Sequence, residues 1–159
     1  MKPWSLLLAI CLVVSVAACG SDSSTETRSA DAAELERKPE IPTGPTSKKL
    51  IVKDLIEGTG VAAEEGDDLS VHYVAGIYET GKEIESAWVE GNPLGFRLGS
   101  GAWLKGWEEG MPGMRVGGRR ELIMPTNREE TPPGSKLGDT LVYVVDLVEV
   151  KKPKPKGDS

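Results

Sequence analysis

Apolar and polar residues alternate most clearly from Leu69 to Ile77, where Leu69, Val71, Tyr73, Ala75 and Ile77 take every second position and so share one face of a β-strand. That face is expected to look inward. Upstream, Leu50, Val52, Leu55 and Ile56 predict an opening strand that stops at Gly58-Thr59-Gly60. Downstream, the turn Glu79-Thr80-Gly81-Lys82 sends the chain back through Ile84, and Asn92-Pro93 marks a loop before Phe96 and Leu98. The segment from Trp103 to Met111 is the convincing helix, with Trp103, Leu104, Trp107 and Met111 on one face. A helix that short is unstable alone and must lie against a sheet. Gly117-Gly118 opens a strand from Arg119 to Met124, and Asp139 to Val150 supplies a long final strand rich in β-branched residues. The pattern predicts an α+β fold: five strands around one short helix.

The ends of the chain follow other rules. Lys2 precedes an uncharged apolar run from Trp4 to Ala18, about fifteen residues, which is the core length of an export signal rather than of a membrane span. The run ends in Val16-Ala17-Ala18-Cys19-Gly20, which resembles a bacterial lipobox, with Cys19 as the lipid acceptor and mature first residue. Residues 1–18 are therefore expected to be a lipoprotein signal peptide. Residues 19–47, mostly Ser, Thr, Asp, Glu, Ala and Pro, are expected to be the lipidated N-terminus and a disordered tether. Residues 48–151 form the folded domain, and 152–159 a disordered basic tail. The expected location is the extracytoplasmic side of a bacterial cell membrane, held by a lipid anchor.

Composition narrows the chemistry. At 159 residues the chain has room for one core, and 25 Asp and Glu against 19 Lys and Arg leave no basic surface for a nucleic acid. Cys11 lies in the signal and Cys19 would be capped, so the domain holds no cysteine to bind a metal or form a disulfide. His72, the single histidine, neighbours Tyr73 on the strand and so points to the opposite face, which excludes a Ser-His-Asp triad and a zinc site. Glu64-Glu65-Gly66-Asp67-Asp68 lacks the ligand periodicity of a calcium loop and reads as a solvated acidic turn. Arg119 and Arg120 fall on opposite strand faces, as in ordinary salt links. No cofactor and no metal is expected.

Five segments, in order and at matching spacing, resemble one family. Val71-His72-Tyr73 resembles the VHY strand of FKBP-type peptidyl-prolyl cis-trans isomerases, and Gly81-Lys82-Glu83-Ile84-Glu85-Ser86 their GKxFDS segment. Pro93-Leu94-Gly95-Phe96-Arg97-Leu98-Gly99 is similar to PFxFxLG. Gly106-Trp107-Glu108-Glu109-Gly110, with Met114, Val116, Gly117 and Arg119, is similar to GWEEGxxxMxVGxR, and Thr140-Leu141-Val142-Tyr143 to TLVF. The resemblance spans nearly all of residues 48–150. It implies an antiparallel five-stranded β-sheet wrapped around one short α-helix, and acceleration of X-Pro bond rotation in an apolar aromatic pocket.

By resemblance, Trp107 is the pocket floor, Tyr73 and Tyr143 are pocket aromatics, and Phe96 lies at the edge. Leu104, after Trp103, matches the position whose backbone N–H holds a ligand carbonyl. Tyr73, Glu85, Trp107 and Tyr143 are the candidate catalytic residues; Ile84, Leu94, Phe96, Trp103 and Leu104 are the candidate substrate-binding residues. The chain departs from the family pattern at several places. Ile84 and Leu94 stand where it has phenylalanines, Glu85 where it has an aspartate, and Glu90 where that aspartate often has an arginine partner. The loop from Thr126 to Asp139 has no tyrosine where the family carries a Tyr-Gly pair over the pocket. The implied partners are proline-containing unfolded or flexible polypeptides, with macrolide inhibitors as further ligands. If the altered walls had cost the pocket its turnover, the alternative would be a non-catalytic chaperone or protein-binding module on the membrane surface.

Overall fold

The structure, a computed structural model, describes residues 32–88, 92–127 and 130–153. The expected signal peptide at 1–18 with Cys11, the expected lipid acceptor Cys19, Glu90, and the tail from 154 lie outside the described residues. Six strands form one antiparallel sheet: β1 (Ile51–Ile56), β2 (Asp68–Ile77), β3 (Lys82–Ser86), β4 (Leu94–Arg97), β5 (Arg119–Pro125) and β6 (Thr140–Lys151). Besides a helical turn at 32–35, a helix, α1 (Lys105–Gly110), lies between β4 and β5 in the chain. The sheet order is β1-β5-β6-β2-β3, with β4 also on β2. β2 is long enough to serve two short partners: Val74–Ile77 pair with β3 and Asp68–Val71 with β4. β6 occupies the other edge of β2, so six strands fill five positions, one more strand than the sequence pattern separates.

The alternation in β2 is borne out, because Leu69, Val71, Tyr73, Ala75 and Ile77 all enter the central core with Leu141, Tyr143, Val145 and Leu147 of β6. The opening strand is less inward than its sequence suggests. β1 is an edge strand, a bulge breaks its pairing with β5 between Asp54 and Ile56, and only Ile56 is buried. Helix α1 lies against β5 so closely that a Cβ on Gly106 would come within 2.5 Å of Met124 Sδ, and one on Gly110 within 2.6 Å of Leu122 Cδ2. At those two positions any larger residue would force the Met124 and Leu122 side chains to shift.

Residues 32–47 are not a tether over their whole length. They form a strap across the sheet's outer face. Gly44 N–H donates to the Tyr78 carbonyl (3.0 Å), Ser47 N–H to Thr140 Oγ1 (2.9 Å), and Lys38 Nζ to Glu83 (2.8 Å). Arg119, 2% exposed, donates to both oxygens of Asp146 (2.6 and 2.8 Å), to the Arg37 carbonyl (2.9 Å) and to Glu34 (3.4 Å). The low apolar content of this segment suggested disorder, but backbone hydrogen bonds and one buried guanidinium supply what its side chains lack. Two smaller expectations change as well. Asp67 is buried, accepts the Glu64 N–H, and with Glu64 binds Lys152 Nζ at 2.8 Å, so neither the acidic turn nor the first residue of the tail is merely solvated.

Candidate active site

Helix α1 has six residues and no side-chain cap from its own N-cap, Leu104. Its ends are held from outside. Lys105 N–H donates to Glu130 Oε1 (2.5 Å) from the loop after β5, and Arg120 of β5 donates to the Gly110 carbonyl (2.8 Å) while pairing with Asp54. The preceding turn is fixed by Glu108, whose carboxylate accepts the N–H groups of Gly99 (2.5 Å) and Gly101 (2.9 Å). These contacts substitute for the stability that so short a helix lacks.

The clamped helix places Trp107 at the centre of four other aromatic side chains. Tyr73 and Tyr143 meet it edge-on at 5.2 and 5.5 Å, Phe96 meets it at 5.4 Å, and Trp103 stacks on it at 5.7 Å with planes 23° apart. Edge-to-face pairs at these distances favour one another through their quadrupoles as well as through burial. Above them lies a cavity of about 410 Å³ lined by Tyr73, Glu85, Leu94, Ala102, Trp103, Leu104, Trp107, Glu130, Thr131, Pro132 and Tyr143. Its size suits a proline ring and its neighbours.

Seven of the nine residues singled out from the sequence line this cavity. The other two stand behind it. Phe96 backs Trp103 and Trp107 from within the core, and the Ile84 side chain lies under Gly134 of the β5–β6 loop. Four lining residues had no sequence signal: Ala102 precedes Trp103, and Glu130, Thr131 and Pro132 come from that loop, which carries no tyrosine. It is braced internally by Thr126 Oγ1, which donates to the carbonyls of Lys136 and Asp139 (both 3.0 Å), and by Asn127 Nδ2, which donates to Glu130 Oε2 (2.6 Å). His72 is on the outer face, against Trp88, as its neighbour Tyr73 required.

The polar groups of the cavity are few. Burial, and then the neighbouring Glu85 carboxylate, holds the Tyr73 hydroxyl well above the ordinary tyrosine range. Burial, then the charge of Glu85, does the same to Tyr143. Both hydroxyls are therefore neutral donors at physiological pH. The Leu104 N–H donates to nothing among the described residues, and Trp107 Nε1 is buried without a partner. An unmet buried donor costs about 1–3 kcal/mol, which an incoming carbonyl can offset.

An antiparallel sheet wrapped on a short helix, with a ring-walled cavity where the two meet, defines a protein with a site suited to a small apolar ring. Comparison with known proteins makes this specific. Residues 60–148 match the model of the family described as FKBP-type peptidyl-prolyl cis-trans isomerase. The chain is 44% identical over 120 residues to an FK506-binding protein of Streptomyces anulatus, covering 71% of this chain and 97% of that one. It is 36% identical over 108 residues to the peptidyl-prolyl cis-trans isomerase FPR2 of Saccharomyces cerevisiae, covering 65% and 77%. Among solved structures it superposes on FkpA from Escherichia coli with a TM-score of 0.58 at 28% identity, covering 84% of this chain and 61% of that one. It superposes on AtFKBP13 with a TM-score of 0.53 at 26% identity, covering 67% and 98%. The chain belongs to the FKBP-type peptidyl-prolyl cis-trans isomerase family, whose reaction is rotation about X-Pro bonds.

Proposed function

We propose that the protein is a lipid-anchored isomerase of exported polypeptides and that the cavity over Trp107 is where the prolyl bond turns. X-Pro rotation faces a barrier of roughly 18–20 kcal/mol, set by lost amide resonance, and requires no bond to be made or broken. The twisted amide is less charge-separated than the planar one, so an apolar site favours it over the ground state. Trp107, Trp103 and Leu94 hold the proline ring. Tyr143 and the Tyr73–Glu85 pair border it, and the Leu104 N–H takes a flanking carbonyl. An acceleration of about 10⁴ requires about 5.4 kcal/mol, within reach of shape, desolvation and one or two hydrogen bonds. The observation that carries this reading is the Leu104 N–H, without a partner among the described residues, beside a cavity floored by a clamped tryptophan.

The anchor rests on Lys2, the apolar run Trp4 to Ala18, and Cys19 at its end. Cys19→Ala should release the protein from the membrane fraction, and unchanged fractionation would remove the anchor from the account. A protease-coupled assay on Ala-Xaa-Pro peptides tests catalysis, and the absence of acceleration would leave a binding module.

A further inference from the structure

We propose that Glu130 determines substrate specificity, favouring X-Pro bonds flanked by a cationic side chain and disfavouring acidic flanks. The proposal rests on the cavity being the prolyl site. Among the described residues that line it, the charged ones are Glu85 and Glu130, and no cation accompanies them. They differ in position. Glu85 faces the Tyr73 hydroxyl inside the cavity, whereas Glu130 lines both this cavity and the hollow beyond Trp103. It accepts the N–H of Lys105, the amide that follows the unpartnered Leu104 N–H, so its carboxylate lies beside the place where a substrate carbonyl docks.

Among the described residues, neighbouring charges do not cancel it. The Lys105 ammonium turns away to Glu109 at 3.5 Å, and the uncharged Asn127 Nδ2 is the side-chain donor to Glu130 Oε2. The hollow on the other side of Trp103 and Glu130 is lined by Glu65, Glu108, Glu109 and Lys105, so a chain leaving the cavity in that direction meets more negative charge than positive. A carboxylate with spare lone pairs at a partly exposed rim attracts a lysine or arginine side chain by an amount typical of surface ion pairs, and repels a glutamate similarly.

The test compares kcat/KM of the full chain on Ala-Lys-Pro-Phe, Ala-Leu-Pro-Phe and Ala-Glu-Pro-Phe peptides. The lysine peptide should lead the glutamate peptide by about fivefold at low salt. That ratio should fall towards one in 1 M salt, where the Debye length is about 3 Å. Glu130→Gln removes the charge and keeps an oxygen to accept the Lys105 N–H, so it should bring the ratio near one at low salt. A purely structural role would lower all three rates together and leave the ratio in place, which would overturn the proposal. Equal wild-type rates on the lysine and glutamate peptides, or a salt-insensitive ratio, would overturn it even if the variant failed to fold. Failure to accelerate any peptide would instead overturn the catalytic reading beneath it.

Discussion

Leu104 contributes a backbone atom rather than a side chain, and its geometry makes it unusually testable. Its φ of −57° lies within proline's range, and its N–H has no partner among the described residues, so Leu104→Pro should fold while deleting one donor. We expect kcat/KM to fall about tenfold, one hydrogen bond's worth, with Leu104→Ala as the control that keeps the N–H. Equal losses in the two variants would assign the effect to the side chain. Tyr73 and Tyr143 carry a pH signature. Burial and the Glu85 carboxylate push their ionisation above the ordinary tyrosine value of 10.0 in the fold. An unfolded chain would therefore lose these protons first, and stability should be intact below pH about 10 and decline above it. Tyrosinate absorbance from these two rings should appear together with loss of ellipticity, not before it.

Among the elements, the strap and the β5–β6 loop are what the sequence concealed. Beginning the chain at Lys48 should leave the family-matching core folded and active. It would expose the outer face, where Val74, Val142 and Val144 are 0–1% exposed, and strip Arg119 of the Arg37 carbonyl and Glu34. A loss of at least about 2 kcal/mol is expected from the denaturant midpoint, and an unchanged midpoint would show that the strap merely rests there. β2 was legible because strands pair along both its edges and one face is sealed, so each second residue had to be apolar. The strap was not, because prolines and backbone amides leave no periodicity. Trp107 and Tyr73 were found through their motifs, whereas Glu130 meets Lys105 from 25 positions away, a contact written in no local pattern.

At the scale of the whole molecule, the strap would shorten the tether of the lipid anchor proposed at Cys19. About 15 residues separate Cys19 from Glu34, a reach of at most about 50 Å, so an anchored domain would work close to the bilayer surface where exported chains emerge unfolded. The central claim, however, concerns the cavity. Isomerisation of an Ala-Leu-Pro-Phe peptide should be measured for the wild type and for Trp107→Ala, with circular dichroism defining the folded fraction. Truncating so buried a tryptophan should cost about 3–5 kcal/mol of stability, so the comparison belongs at low temperature where the variant remains folded. The account predicts clear acceleration by the wild type and a loss of at least about a hundredfold in the folded variant, the equivalent of about 2.7 kcal/mol. Wild-type turnover by folded Trp107→Ala would contradict it.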